Sequence, residues 1–118
     1  MIPLRCWIIP ILAACFLIAL GARGHAETGT ASYYGGKHHG RPTASGERFN
    51  QHSNTCAHRF HEFGSVLRVA HRGRSVECKV SDRGPFIRGR VVDLSVASAR
   101  ALGIISAGVA RVTVERIR

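Results

Sequence analysis

Only seven acidic side chains serve a chain of 118 residues that carries 17 Lys and Arg. Two of them sit in segments built to hold a carboxylate. Asp82, in Ser81-Asp82-Arg83-Gly84-Pro85-Phe86, follows the alternating run Val76 to Val80 and precedes a Gly-Pro turn. That order puts its carboxyl at the rim of a sheet, beside a groove. A carboxyl kept protonated in such a place is what a general acid acting on a glycosidic oxygen requires. The same spelling also suits an Asx turn that merely ties the loop. Asp93, in Val91-Val92-Asp93-Leu94-Ser95, precedes a helix start, where it is expected to cap the helix or to pair with an arginine of the Arg83–Arg90 loop.

Glu47 lies in the polar, glycine-flanked loop Thr43-Ala44-Ser45-Gly46-Glu47-Arg48-Phe49, as a second carboxylate or as a surface charge. His58, in Thr55-Cys56-Ala57-His58, stands two residues from a cysteine and is expected to be held in place, either as a core histidine or as an imidazole that bonds a sugar or tunes a carboxylate. His38 and His39 with His58 and Asp82 match no metal-binding spacing, so no metal is expected. Cys56 and Cys78 are the cysteines beyond the apolar N-terminal stretch. In an oxidising compartment the default is a disulfide between them, the alternative being two buried thiols. Closing a loop of that length stabilises a small domain by roughly 3 kcal/mol.

The elements that must position these groups read as short strands and loops. Gly29 to Tyr34 is a first strand with Tyr33 or Tyr34 facing inward, and Gly35 to Gly46 is a surface loop. Ser65 to His71 and Ser75 to Ser81 form a hairpin across Arg72-Gly73-Arg74. Ser95 to Leu102 is a helix of about two turns, with Ser95 as N-cap and Gly103 just past its end. From Val109 to Ile117, Ala110, Val112 and Val114 share one face. The expected class is mainly β, about six strands with one or two short helices, closed into a barrel so that no sheet edge stays exposed.

Residues 1–26 have the layout of an export signal: a short start with one charge, an apolar stretch from Cys6 to Leu20 interrupted by Pro10, then Gly24 and Ala26 at the small positions of a cut before Glu27. The domain is then 27–118, with no stable membrane span once the leader is removed, since a spanning helix needs about 20 apolar residues. Leu12-Ala13-Ala14-Cys15 also spells a lipoprotein box, which would anchor the chain to the outer membrane through Cys15. Either route makes the protein periplasmic or secreted. The formal charge of +10 draws the chain toward polyanions, or is simply a solvated basic surface. Without a basic helix or an interleaved aromatic stripe, nucleic acid is not the expected partner.

Several segments, in order, resemble the rare lipoprotein A-like double-psi β-barrel family: Gly29-Thr30-Ala31-Ser32-Tyr33-Tyr34-Gly35, Gly40-Arg41-Pro42-Thr43-Ala44-Ser45-Gly46-Glu47, Ala57-His58, Phe63-Gly64-Ser65, Asp82-Arg83-Gly84-Pro85-Phe86, Gly89-Arg90 and Asp93-Leu94-Ser95. The resemblance implies a six-stranded double-psi barrel and an endolytic lytic transglycosylase, which cuts the MurNAc–GlcNAc bond of peptidoglycan and leaves a 1,6-anhydro-muramyl end. It implies Asp82 as acid/base with Glu47 and His58 as associated catalytic positions. Tyr33, Tyr34, Arg41, Thr43, Arg83 and Phe86 become the substrate-binding residues. No cofactor is implied, the partner is the peptidoglycan glycan strand, and the protein is expected to act as a monomer. Against fuller members of the family, no C-terminal domain for bare glycan strands is expected, apolar residues follow the lipoprotein box, and a cysteine pair is added. The rival expectation is a non-catalytic, expansin-like wall-binding or wall-loosening module on the same barrel. Convergence of Asp82, Glu47 and His58 on one groove favours catalysis, and a dispersed trio favours binding.

Overall fold

The structure, a computed structural model, describes residues 26–118; the expected leader and the Cys15 lipoprotein box lie outside them. Strands β1 (Ala26–Tyr34), β2 (Thr55–Ala57), β3 (Val66–His71), β4 (Arg74–Asp82), β5 (Arg90–Ser95) and β6 (Val109–Arg116) close into one barrel in the order β1-β5-β2-β4-β3-β6. A 3-10 turn (Gly36–His38) and one α-helix, α1 (Val96–Leu102), complete the elements. The expected class is the observed one. β1 pairs β5 and β2 pairs β4 in parallel, and the remaining pairs are antiparallel.

Alternation builds the core where it was legible. In β3, Leu67 and Val69 are buried while Arg68 is exposed, and in β6 Val112 and Val114 are buried between exposed Arg111 and Thr113. Val69 is registered against Val76 on one side and Val114 on the other, so the inward rows of three strands meet. The hairpin and helix also form as expected: the Ser95 hydroxyl accepts from Ser98 N at 3.2 Å and Gly103 takes φ 82° at the C-cap.

Two strands carry no signal that the sequence reading could use. β2 has three residues, too few to show a period, and β5 carries Val91, Val92 and Leu94, all buried, so it shows no alternation. Asp93 therefore sits inside a strand. It neither caps α1, which Ser95 does, nor pairs with an arginine of the Arg83–Arg90 loop; it accepts from the Ser32 hydroxyl.

Cys56 on β2 and Cys78 on β4 form a disulfide between buried neighbouring strands. It pins the shortest strand of the barrel to a long one. No helix among the described residues is long and apolar enough to cross a membrane.

Candidate active site

The site is a consequence of register. Ser32 on β1 is registered with Asp93 on β5, Asp93 with Ala57 on β2, and Ala57 with Asp82 on β4. Four adjacent strands thus set Ser32, Asp93, Ala57 and Asp82 in one rung, where directly paired residues face the same side. A bulge between Cys56 and Ala57 decides which β4 residue joins it: Cys56 pairs Val80, but Ala57 skips Ser81 and pairs Asp82. Bulges of this kind re-aim a side chain next to a site. Without the skip, Ser81 would occupy the rung. Two interstrand spacings put the backbones of Asp82 and Asp93 about 10 Å apart, and the small Ala57 side chain leaves the space between them open.

That space is a groove of about 340 Å³, lined from β1 and the 3-10 turn by Ser32, Tyr33, Tyr34 and His38, from β2 by Ala57, from the end of β4 and the residue after it by Asp82 and Arg83, and from β5 by Arg90 and Asp93. Asp82 is half-buried, and its Oδ1 accepts from Ala44 N at 3.0 Å and Arg83 N at 2.9 Å. These two bonds fix the carboxyl's direction. Among the described residues no protein group bonds Oδ2.

Tyr34 closes one wall. Its ring stacks on Phe49 with centroids 4.6 Å apart, and its buried hydroxyl has no hydrogen-bond partner among the described residues. Burial, then the nearby Asp82 and Asp93 carboxylates, raises its pKa well above the ordinary 10.0. The phenol therefore stays a proton-bearing donor at any physiological pH. An unpaired buried donor costs about 1–3 kcal/mol, so it is suited to a ligand acceptor. Gly35, next in the chain, leaves room for the start of α1, because a β-carbon there would run into Val96. Tyr33 also lines the groove, but its hydroxyl donates to Ile105 O at 2.8 Å and its ring packs on the core.

Glu47 and His58 do not enter this groove. The Glu47 carboxylate faces Lys79 Nζ at 3.1 Å, with both side chains about half exposed. Its contribution lies in the backbone: Glu47 O accepts from Thr43 N at 2.8 Å and from Thr43 Oγ1 at 2.7 Å, which folds the loop that presents Ala44 N to Asp82. His58 is fully buried; its Nδ1 accepts from Phe60 N and His61 N, both at 3.3 Å, so the ring proton is on Nε2, donated to Glu27 Oε1 at 2.8 Å. Its backbone meets the site instead, since His58 N donates to Asp82 O at 3.2 Å and His58 O accepts from Arg83 Nη1 at 3.1 Å.

Arg83 spends its head group on the same loop, donating to His61 O at 2.7 Å and lying over the Phe63 ring at 3.9 Å. Burial, with His58 beside it, lowers the pKa of His61, which keeps a further positive charge out of that packing. Phe86 is 80% exposed, Arg41 is exposed, and Thr43 is engaged within its own loop. Ser32, Arg90 and Asp93 line the groove although motif reading did not select them for it. The signal for Asp93 was one carboxylate in an otherwise apolar run, a charge that needs a partner. Among the described residues no three His, Cys, Asp or Glu side chains gather as a metal site needs.

A family model described as lytic transglycolase matches residues 26–114, the whole barrel up to the last strand. The chain belongs to that family. The lytic transglycolase match agrees with the double-psi type of barrel expected from the motifs. Relatives include the probable endolytic peptidoglycan transglycosylase RlpA of Aquifex aeolicus, 50% identical over 85% of this chain and 47% of the relative. The endolytic peptidoglycan transglycosylase RlpA of Pseudomonas aeruginosa strain UCBPP-PA14 is 47% identical over 81% of this chain and 29% of the relative. The chain thus spans less than half the length of these lytic transglycolase relatives. Among solved structures, a Streptomyces papain inhibitor superposes with TM-score 0.66 at 24% identity, covering 82% of this chain and 98% of its own. A Clavibacter michiganensis expansin superposes with TM-score 0.63 at 23% identity, covering 80% and 51%. Both likenesses concern the barrel fold alone.

Proposed function

We propose that this protein is an endolytic peptidoglycan lytic transglycosylase that cuts the MurNAc–GlcNAc bond with Asp82 as its acid/base. The single observation that carries the reading is the bulge-set rung, which aims Asp82 into an open groove opposite Asp93. The family membership and the names of the relatives support the same chemistry. The Asp82 carboxyl gives its proton to the bridging oxygen as the C1–O4 bond breaks, so the GlcNAc side leaves as an alcohol. The carboxylate then takes the proton of the muramyl 6-hydroxyl as O6 closes on C1. The carboxyl is restored and no water is consumed, so one acid/base suffices where a hydrolase needs two. Asp93, held by Ser32, sits where its negative charge favours the oxocarbenium-like sugar between the two steps.

Tyr34 and Phe86 are the substrate-binding groups best supported by geometry, the first through its unpaired hydroxyl and the second through an exposed ring that can lie on a sugar face. Arg83 lines the groove as a cation, and Arg41 is assigned to the glycan by the motif resemblance alone. Glu47, Thr43 and His58 act as positioning residues: the first two shape the loop that donates Ala44 N, and the third braces the Asp82–Arg83 turn. One chain builds the complete groove, which supports action as a monomer. The disulfide and the relatives' wall substrate both support work outside the cytoplasm, in the periplasm or secreted.

A second reading has its own observation. Glu47 and His58 are dispersed from the groove, which favours a wall-binding module that loosens without cutting. Purified protein incubated with sacculi separates the two. Anhydro-ended muropeptides from wild type and none from Asp82→Asn uphold cleavage; sacculus binding without such products upholds the module.

A further inference from the structure

The end of the barrel opposite Asp82 holds a second concavity with the reverse charge. Arg74 opens β4 and Asp82 ends it, so the two lie roughly 26 Å apart along the strand. The β3–β4 turn and the segment from the end of α1 into β6 enclose a trough of about 390 Å³, lined by His71, Arg72 and Arg111 among others. An adjoining hollow of about 220 Å³ shares His71 and Arg72 and adds Arg74. Neither is lined by an acidic residue. Four cations elsewhere are paired with carboxylates: Arg59 with Glu27, Arg68 with Glu115, Lys79 with Glu47 and Arg118 with Glu77. Among the described residues Arg72, Arg74 and Arg111 have no such partner.

The trough also has built features. Arg72 adopts φ 47° and Gly73 φ 78°, the left-handed pair of a tight hairpin turn, where glycine or asparagine is the comfortable first residue. An arginine there holds a strained backbone, and its side chain lines both hollows. The Arg74 head group lies over Gly103, where a β-carbon would come within 2.7 Å of its Nη1. His71 Nδ1 donates to Arg111 O at 2.8 Å, which fixes the ring between the two strands.

We propose that this trough is a binding site for phosphate groups, separate from the glycan groove and independent of the reaction there. A lone carboxylate is satisfied by one guanidinium fork, whereas two forks on the trough, with a third on the hollow that adjoins it, match the several oxygens and higher charge of phosphate. The groups can come from an anionic lipid headgroup or from a soluble or polymeric phosphate.

The test is an amide NMR titration of residues 26–118, which complete their own barrel and core, with inorganic phosphate and, at matched ionic strength, with acetate. Phosphate is expected to shift His71–Arg74 and Gly103–Arg111 saturably, with acetate much weaker. Arg72→Gly relaxes the turn while removing its guanidinium, so misfolding does not explain a loss. With Arg111→Gln added, affinity is expected to fall at least about tenfold, and sacculus cleavage is expected to be unchanged. Shifts scattered over the surface, equal shifts from acetate, or undiminished binding by the double variant would overturn the site. Vesicles of phosphatidylglycerol with phosphatidylcholine, against phosphatidylcholine alone, then identify the source. Arginine-dependent sedimentation with the anionic vesicles upholds the site and assigns a lipid headgroup; local phosphate shifts without sedimentation uphold it and assign a soluble or polymeric phosphate.

Discussion

Asp82 and Asp93 are carried by strands whose register is fixed by neighbours on both sides, whereas Glu47 and His58 are carried by the segments that join β1 to β2 and β2 to β3. The strand-borne pair faces the groove, while the loop-borne pair turns its side chains to Lys79 and Glu27 and lends the site its backbone. Reacting groups need sub-ångström placement, which ladder hydrogen bonds supply. Residues off the ladder here act one step removed, by holding the donors that hold Asp82.

The contrast can be broken most severely at Asp82. Asp82→Asn keeps the shape of the side chain but removes the transferable proton, and glycan cleavage is expected to fall about 10²–10⁴-fold with sacculus binding retained. Cleavage within a few-fold of wild type would move the acid elsewhere.

Next in size is the tie between β2 and β4, because β2 carries Ala57 of the rung and has only three residues. Replacing Cys56 and Cys78 by alanine is expected to cost about 3 kcal/mol in denaturant unfolding, and an unchanged midpoint would show that pairing alone holds the strand. Asp93→Asn should slow cleavage by roughly 10–100-fold, the scale of one charged interaction. Glu47→Gln should change it by no more than about twofold, because an exposed ion pair contributes little. A larger loss at Glu47 than at Asp93 would reverse the ranking of strand and loop.

Tyr34 gives the smallest effect and the sharpest sign. Its raised pKa means that the unfolded chain releases this proton near the ordinary 10.0 while the folded protein keeps it. Stability is therefore intact below pH 10 and declines as pH rises above it. Tyr34→Phe removes that decline and also the unpaired hydroxyl. Between about pH 9 and about pH 11 the variant's unfolding midpoint should fall less steeply than wild type's, while its affinity for glycan drops. Parallel curves would mean that the hydroxyl is not buried in solution.

The same contrast marks what could be read from the chain. The β3–β4 hairpin, α1 with its Ser95 and Gly103 ends, and β6 all carry local signals, and they formed within a residue or two of expectation. Asp82 was legible because strand, carboxylate and Gly-Pro turn are contiguous. Asp93 was misassigned because its partner Ser32 is 61 positions away and its strand, buried on both sides, has no period. The bulge at Ala57 was invisible for a related reason: it is a property of two strands, and neither sequence alone carries it. Motif resemblance marked Glu47 and His58 as important without saying which of their atoms matter.

The central claim is that a proton held by residue 82 cuts glycan without water, and its most direct measurement is mass spectrometry of the ends released from purified sacculi by the described barrel. Wild type is expected to release muropeptides ending in 1,6-anhydro-muramic acid, and Asp82→Asn none above background. Reducing ends from wild type would mean hydrolysis, and bound sacculi with no new ends would mean that the groove holds the wall and does not cut it.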